Sequence, residues 1–202
     1  MAGGEPEDRL ESVTMPRIDD DFLNCSFYVY PDEERAREGS RAGGSGFLIH
    51  VPLAFEPWVQ VYAVTNRHVI DGGCGALRLN TSAGPTDIMQ TGQCDWVMHP
   101  ELDDVAIAPM QMAPRHRWTS INAGCFVTQQ MLLERAVGVG DEVLMIGRLS
   151  GTEGIGQNTP VARFGHLSMM PRAIDRANGL PPQESFLVEC RSVSGFSGSR
   201  CS

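Results

Sequence analysis

The most useful facts about this 202-residue chain are at first negative, because each thing it lacks removes a class of function. It has no excess of positive charge: the formal net charge is −9 and the isoelectric point is near 5.0. An acidic surface repels phosphate backbones and anionic headgroups, so neither nucleic acid nor a membrane is an expected partner. No apolar run approaches the roughly 20 residues that a membrane-spanning helix needs. The opening Met1-Ala2-Gly3-Gly4-Glu5-Pro6-Glu7-Asp8-Arg9 contains no basic stretch leading into an apolar one. It therefore does not read as a secretory signal, and the expected location is the cytoplasm. Six cysteines are present (Cys25, Cys74, Cys94, Cys125, Cys190 and Cys201), but no Cys-x-x-Cys. That spacing gives zinc no support, and neither a metal nor any other cofactor is expected. Without export, the thiols are expected to be reduced and buried. There is no internal repeat, no low-complexity tract and no strand–helix alternation of the kind that builds a parallel α/β sheet.

What remains is an ordinary globular composition, 42% hydrophobic and 20% charged, in a chain long enough to bury a core. Residues 1–21 are polar and acidic and read as a loosely ordered arm. Beyond them, short stretches rich in β-branched and aromatic residues recur between glycine and proline. Strands are predicted at Phe22–Tyr30, Gly43–Val51, Trp58–Thr65, Ala76–Leu79, Asp87–Met89 and Asp104–Ala108. Further strands are predicted at Cys125–Thr128, Glu142–Gly147, Val161–Ser168 and Ser185–Cys190. The charged stretch Asp32–Arg41 reads as a loop, and Gln129–Ala136 as a helical turn or two. Many short strands with turns between them predict an all-β barrel or sandwich.

Three segments carry chemistry. Ala63-Val64-Thr65-Asn66-Arg67-His68-Val69 is a strand that ends in a histidine. Asp103-Asp104-Val105-Ala106-Ile107-Ala108 is a pair of acids opening an apolar strand. Ser194-Gly195-Phe196-Ser197-Gly198-Ser199 sets a serine between glycines. A serine hydroxyl needs a base to become a nucleophile, and imidazole titrates near neutrality. A carboxylate behind the ring fixes its tautomer and stabilises the imidazolium. Glycines around Ser197 allow a tight turn in which the backbone N–H groups of Gly195 and Ser197 converge on one oxyanion. An α/β-hydrolase elbow, Gly-x-Ser-x-Gly, is excluded because position 199 is serine and because the serine follows the histidine. The remaining histidines, His50, His99, His116 and His166, share no ligand spacing and read as structural.

Thr-Asn-Arg-His-Val, then Asp-Val-Ala-Ile, then Gly-Phe-Ser-Gly-Ser, in that order, resembles the trypsin-like (chymotrypsin-fold) serine peptidases, their bacterial members in particular. The resemblance runs from about Gly43 to Ser199 and implies a triad of His68, Asp104 and Ser197, with Gly195 and Ser197 as the oxyanion hole. Between the two acids it favours Asp104, which directly precedes Val-Ala, and leaves Asp103 to the loop. It implies two antiparallel β-barrels of the chymotrypsin type, residues 22–112 forming the first and 113–202 an incomplete second that lacks its final strands. It places Arg191 near the floor of the specificity pocket, where a cation favours acidic side chains. Phe196 stands where many digestive members carry an aspartate that pairs with a freshly cut N-terminus, so activation by N-terminal cleavage is not expected. The implied activity is endopeptidase action on peptide or protein substrates. Because the family continues with Pro-Val-Phe and further strands where this chain has Arg200-Cys201-Ser202, the alternatives are an inactive peptidase-like binding protein or a non-functional truncation product.

Overall fold

The structure is a computed structural model and describes residues 17–54, 57–92, 95–134, 136–149, 151, 154–176 and 181–190. Its strands fall into two antiparallel groups. The first comprises β1 (Ser26–Tyr30), β2 (Gly44–Pro52), β3 (Val59–Thr65), β4 (Ala76–Leu79), β5 (Asp87–Gln90), β6 (Val97–Met98), β7 (Ala106–Met110) and β8 (Ile121–Asn122). They are ordered β5-β4-β1-β2-β3-β7-β6, with β8 added to β2 as a short parallel pair. The second group is a three-stranded sheet, β11-β10-β9, of β9 (Glu142–Gly147), β10 (Val161–Ile174) and β11 (Gln183–Cys190).

The first sheet curls because β2 is shared among three partners at different points along its length. Curling encloses one apolar face. Phe27 and Val29 of β1, Leu48 of β2, Ala63 of β3, Leu77 of β4 and Ala108 of β7 all lie buried in one cluster. The alternation within β1 is legible on both sides, since Tyr28 and Tyr30 point the other way into a second cluster with Ala36 and Ala76. That second cluster explains a departure from the sequence-based expectation. Asp32–Arg41 is not all loop: helix α1 (Glu33–Glu38) lies over the tyrosines. The Asp32 side chain accepts from the Arg35 N–H at 2.9 Å, and Gly39 closes the helix in the left-handed region at φ 72°. Ala36 is its buried contact, and a helix this short presents only that one apolar position, too few for a periodic pattern.

Two further expectations are corrected. The predicted strand at Phe22–Tyr30 begins only at Ser26, because Asp19 caps a 3-10 helix over Asp20–Cys25. Cys125–Thr128 is not a strand. Asn122 caps a 3-10 turn, Ala123–Cys125, and Thr128 caps helix α3 (Gln129–Leu133), so side-chain acceptors claim the backbone N–H groups that a ladder would need.

The two sheets are tied by a buried arginine. Arg78 of β4 is fully buried and donates from Nε to Asn158 Oδ1 at 2.7 Å, and from its guanidinium to the carbonyls of Ala36, Gly154 and Gln157. Asn158 returns a bond to the Arg78 carbonyl at 2.6 Å and pairs with Asn80 through both backbone groups. The guanidinium carbon lies 4.9 Å from the Tyr30 ring centroid and 5.8 Å from that of Tyr28. A buried cation is tolerable when its donors are matched this fully and an aromatic face carries part of the charge.

Candidate active site

Helix α2 (Arg67–Asp71) follows β3 directly and carries His68. It buries Val69 and Ile70 and turns Arg67, His68 and Asp71 outward. Gly43 and Gly44, at the start of β2, make this seat possible. A Cβ on Gly44 would come within 2.7 Å of Val69 Cγ2, and one on Gly43 within 2.2 Å of Cys74 Sγ. Arg67 and Asp71 pair one helical turn apart, at 3.1 Å, across the exposed side.

Asp104 arrives from the other direction. The ladder between β3 and β7 pairs Thr65 with Ala106, so the residues just outside it, Asn66 and Asp104, are brought side by side. The preceding loop is closed by bonds from the His99 N–H to the Val105 carbonyl and from the Leu102 N–H to the His99 carbonyl. Arg176, from the segment after β10, donates to the Leu102 carbonyl at 2.8 Å. Leu102 itself sits at φ 66°, a conformation that side chains rarely adopt.

The result is a histidine–carboxylate pair. His68 Nδ1 lies 2.6 Å from Asp104 Oδ2, and the His68 backbone N–H donates to Oδ1 at 2.9 Å. Asn66 Nδ2 donates to Oδ2 at 3.1 Å and to the Asp104 carbonyl at the same distance. In a neutral imidazole the nitrogen that faces a carboxylate is the one that carries the proton, which here is Nδ1 and leaves Nε2 as the acceptor. The His68 side chain is 63% exposed, whereas that of Asp104 is 16% exposed. Of the two candidate acids, only Asp104 faces His68; Asp103 lies 3.7 Å from His99. Beside the pair opens a cleft of about 280 Å³, walled by Ser45 and Phe47 of β2, Thr65, Asp104 and Ile146 of β9. Ser197, Gly195 and Arg191 lie outside the described residues.

A second histidine–carboxylate pair lies elsewhere. His116 Nε2 is 2.8 Å from Asp87 Oδ2, and its Nδ1 accepts the Ala113 N–H at 3.1 Å. That ring is buried, so both nitrogens serve the packing of the loop rather than solvent chemistry. The hydrogen bond from His116, together with Arg115, holds the Asp87 carboxyl below its ordinary value. Among the described residues, no group of three or more His, Cys, Asp or Glu side chains is placed to hold a metal ion. Cys25, Cys74, Cys125 and Cys190 are free thiols, and burial pushes Cys25 and Cys74 up from their ordinary values. Cys125 is exposed, contrary to the expectation that the thiols are buried. Among the described residues no helix is long and apolar enough to cross a membrane.

Asn66 is the residue that sequence reading passes over. An asparagine directly before a helix carries only the signal of a cap, and its reach to a carboxylate 38 positions away is not written in the local pattern.

No protein-family model matches the chain, and no curated protein matches it by sequence. Solved structures do match. The protease domain of MamO from Magnetospirillum magneticum, in its apo form, is 14% identical over 81% of this chain and 70% of that one, with a TM-score of 0.54. Deg5 is 16% identical over 87% of this chain and 72% of that one, with a TM-score of 0.50. At such identities the likeness speaks to the fold. A curled antiparallel half-barrel joined to a second antiparallel sheet is the trypsin-like, chymotrypsin-type arrangement of β-barrels.

Proposed function

We propose that the chain is a serine endopeptidase, with Ser197 as nucleophile, His68 as general base and Asp104 as the carboxylate behind it. The observation that carries the reading is the His68–Asp104 pair: Nδ1 is held by a carboxylate, and the rest of an exposed ring is left to take a proton. In the proposed cycle, His68 Nε2 removes the Ser197 hydroxyl proton as the oxygen attacks the scissile carbonyl. The N–H groups of Gly195 and Ser197 hold the oxyanion. The imidazolium, stabilised by Asp104, then protonates the departing amine, and water releases the acyl group by the same steps in reverse. The substrate is a peptide or protein, and the chemistry draws only on side chains, backbone and water. On this reading residues 22–112 supply base and acid, 113–202 supply the nucleophile, and Arg191 favours acidic side chains at the cleavage position.

A fluorophosphonate probe tests this directly. The 202-residue chain is expected to gain one phosphonyl group, the probe less the HF it expels, by intact mass spectrometry, and Ser197→Ala to gain none. If a chain with a cooperative unfolding transition takes up no probe, the peptidase reading falls and a peptide-binding protein replaces it.

A further inference from the structure

Asn66 occupies the N-cap position of α2, where an asparagine ordinarily accepts a helix N–H with its own side-chain oxygen. It makes no such bond. The acceptor for the His68 N–H is instead Asp104 Oδ1, at 2.9 Å, so Asp104 caps the helix from 36 residues away. The Asn66 carboxamide is turned towards Asp104, where Nδ2 donates both to Oδ2 and to the backbone carbonyl, each at 3.1 Å. Two acceptors on one side settle which end of the amide points there.

We infer that Asn66 is a positioning residue for the His68–Asp104 pair, holding the carboxylate in the plane that presents Oδ2 to Nδ1. A carboxylate tied through one oxygen only is free to swing about its last torsion. Here Oδ1 is fixed by the His68 N–H, and Oδ2 by Asn66, which is itself anchored to the Asp104 carbonyl. The consequence matters because the imidazole is 63% exposed: packing does not orient it, and the carboxylate does. The catalytic consequence rests on the peptidase reading, while the geometry concerns Asn66, His68 and Asp104 alone.

Two variants of the full chain separate positioning from capping. Serine and aspartate cap helices as well as asparagine does. Asn66→Ser is too short to reach the carboxylate, and Asn66→Asp keeps the shape but donates only when protonated. If Asn66 merely started the helix, both variants would behave like the parent. We expect kcat at pH 8 to fall by roughly tenfold or more in each, at unchanged KM, as losing one hydrogen bond to a charged group brings. Measured against the parent at each pH, Asn66→Asp is expected to recover as its new carboxyl takes up a proton, and Asn66→Ser is not. The ring ¹⁵N shifts of His68 give a readout that needs no turnover. The parent is expected to hold its proton on Nδ1, and both variants to mix the two neutral tautomers. Parent-like ring shifts in both variants, at parent-like melting temperatures, overturn the inference whatever the activity. If one variant does not fold, the other decides. A parent chain with the Nδ1–H tautomer but no probe labelling retires the peptidase reading and leaves Asn66 to be judged on the ring shifts.

Discussion

The two sheets use similar residues to different ends. In the eight-stranded sheet most large apolar side chains turn inward, and Phe27, Leu48 and Leu77 retain no exposure, although Val51, Val59 and Val97 face solvent. In the three-stranded sheet Leu144, Phe164, Phe186 and Leu187 face outward, Leu187 with 52% exposure, and only Leu167 among its apolar side chains is buried. Asp104 and His68 both come from the well-packed sheet, just before β7 and just after β3. Orienting an exposed imidazole to hydrogen-bond accuracy requires supports that do not move, and a closed core supplies them. The segments that flank β10 reach the first sheet and its loops through the Arg78–Asn158 network and through Arg176 on the Leu102 carbonyl.

This contrast is open to direct attack, and the largest effect belongs to the pair itself. His68→Ala is expected to lower kcat by about 10⁶, and Asp104→Asn by about 10⁴, because the amide leaves the ring in the wrong tautomer. Peptide hydrolysis by the purified variants measures both, and retention of parental kcat in Asp104→Asn would remove Asp104 from the mechanism.

Packing comes next. Leu48→Ala, which empties a fully buried site, is expected to cost about 2–5 kcal/mol in urea unfolding. Leu187→Ala, at a half-exposed site of the other sheet, is expected to cost no more than about 0.5 kcal/mol. Equal losses at the two positions would show that the second sheet is as tightly packed as the first, and the comparison would fail.

The smallest effect is electrostatic. The Asp87 carboxyl is held low by His116 and Arg115, so the folded state binds its proton less tightly than the unfolded chain does. Its contribution is therefore complete above the unfolded carboxylate value of about 4 and is lost as pH falls through the lower folded value. Asp87→Asn is expected to lower stability at pH 7 by at most about 1 kcal/mol, with the gap to the parent closing in acid. A gap that stayed constant down to pH 2 would assign the effect to shape rather than charge.

Strands with strong local patterns, such as Ala76–Leu79 and Glu142–Gly147, were legible to the residue, and the predicted all-β class is the class observed. Local polarity misled at α1, where one buried alanine against two tyrosines decides for helix. It also hid Arg78, which sits in an apolar strand as an outward-facing charge would and is instead fully buried. Its partners lie in α1 and β1 on one side and in a loop around Asn158 on the other, and no window of sequence contains them all. The two-residue strands β6 and β8 carry too few side chains to show a period at all.

By itself, then, the sequence determined which side chains are chemically capable: a histidine after an apolar strand, an acid before another, and a serine among glycines. Side-chain chemistry is a local property, and so is the alternation that marks a strand. The resemblance already favoured Asp104 over Asp103 as the partner of His68; tertiary structure alone decided that Asn66 turns from its helix to hold that carboxylate and that Arg78 joins the two sheets. The physical reason is the register between β3 and β7, with Thr65 set opposite Ala106. In a strand a slip of one residue turns every side chain to the opposite face, so the partner of each group is settled only when the sheet has closed.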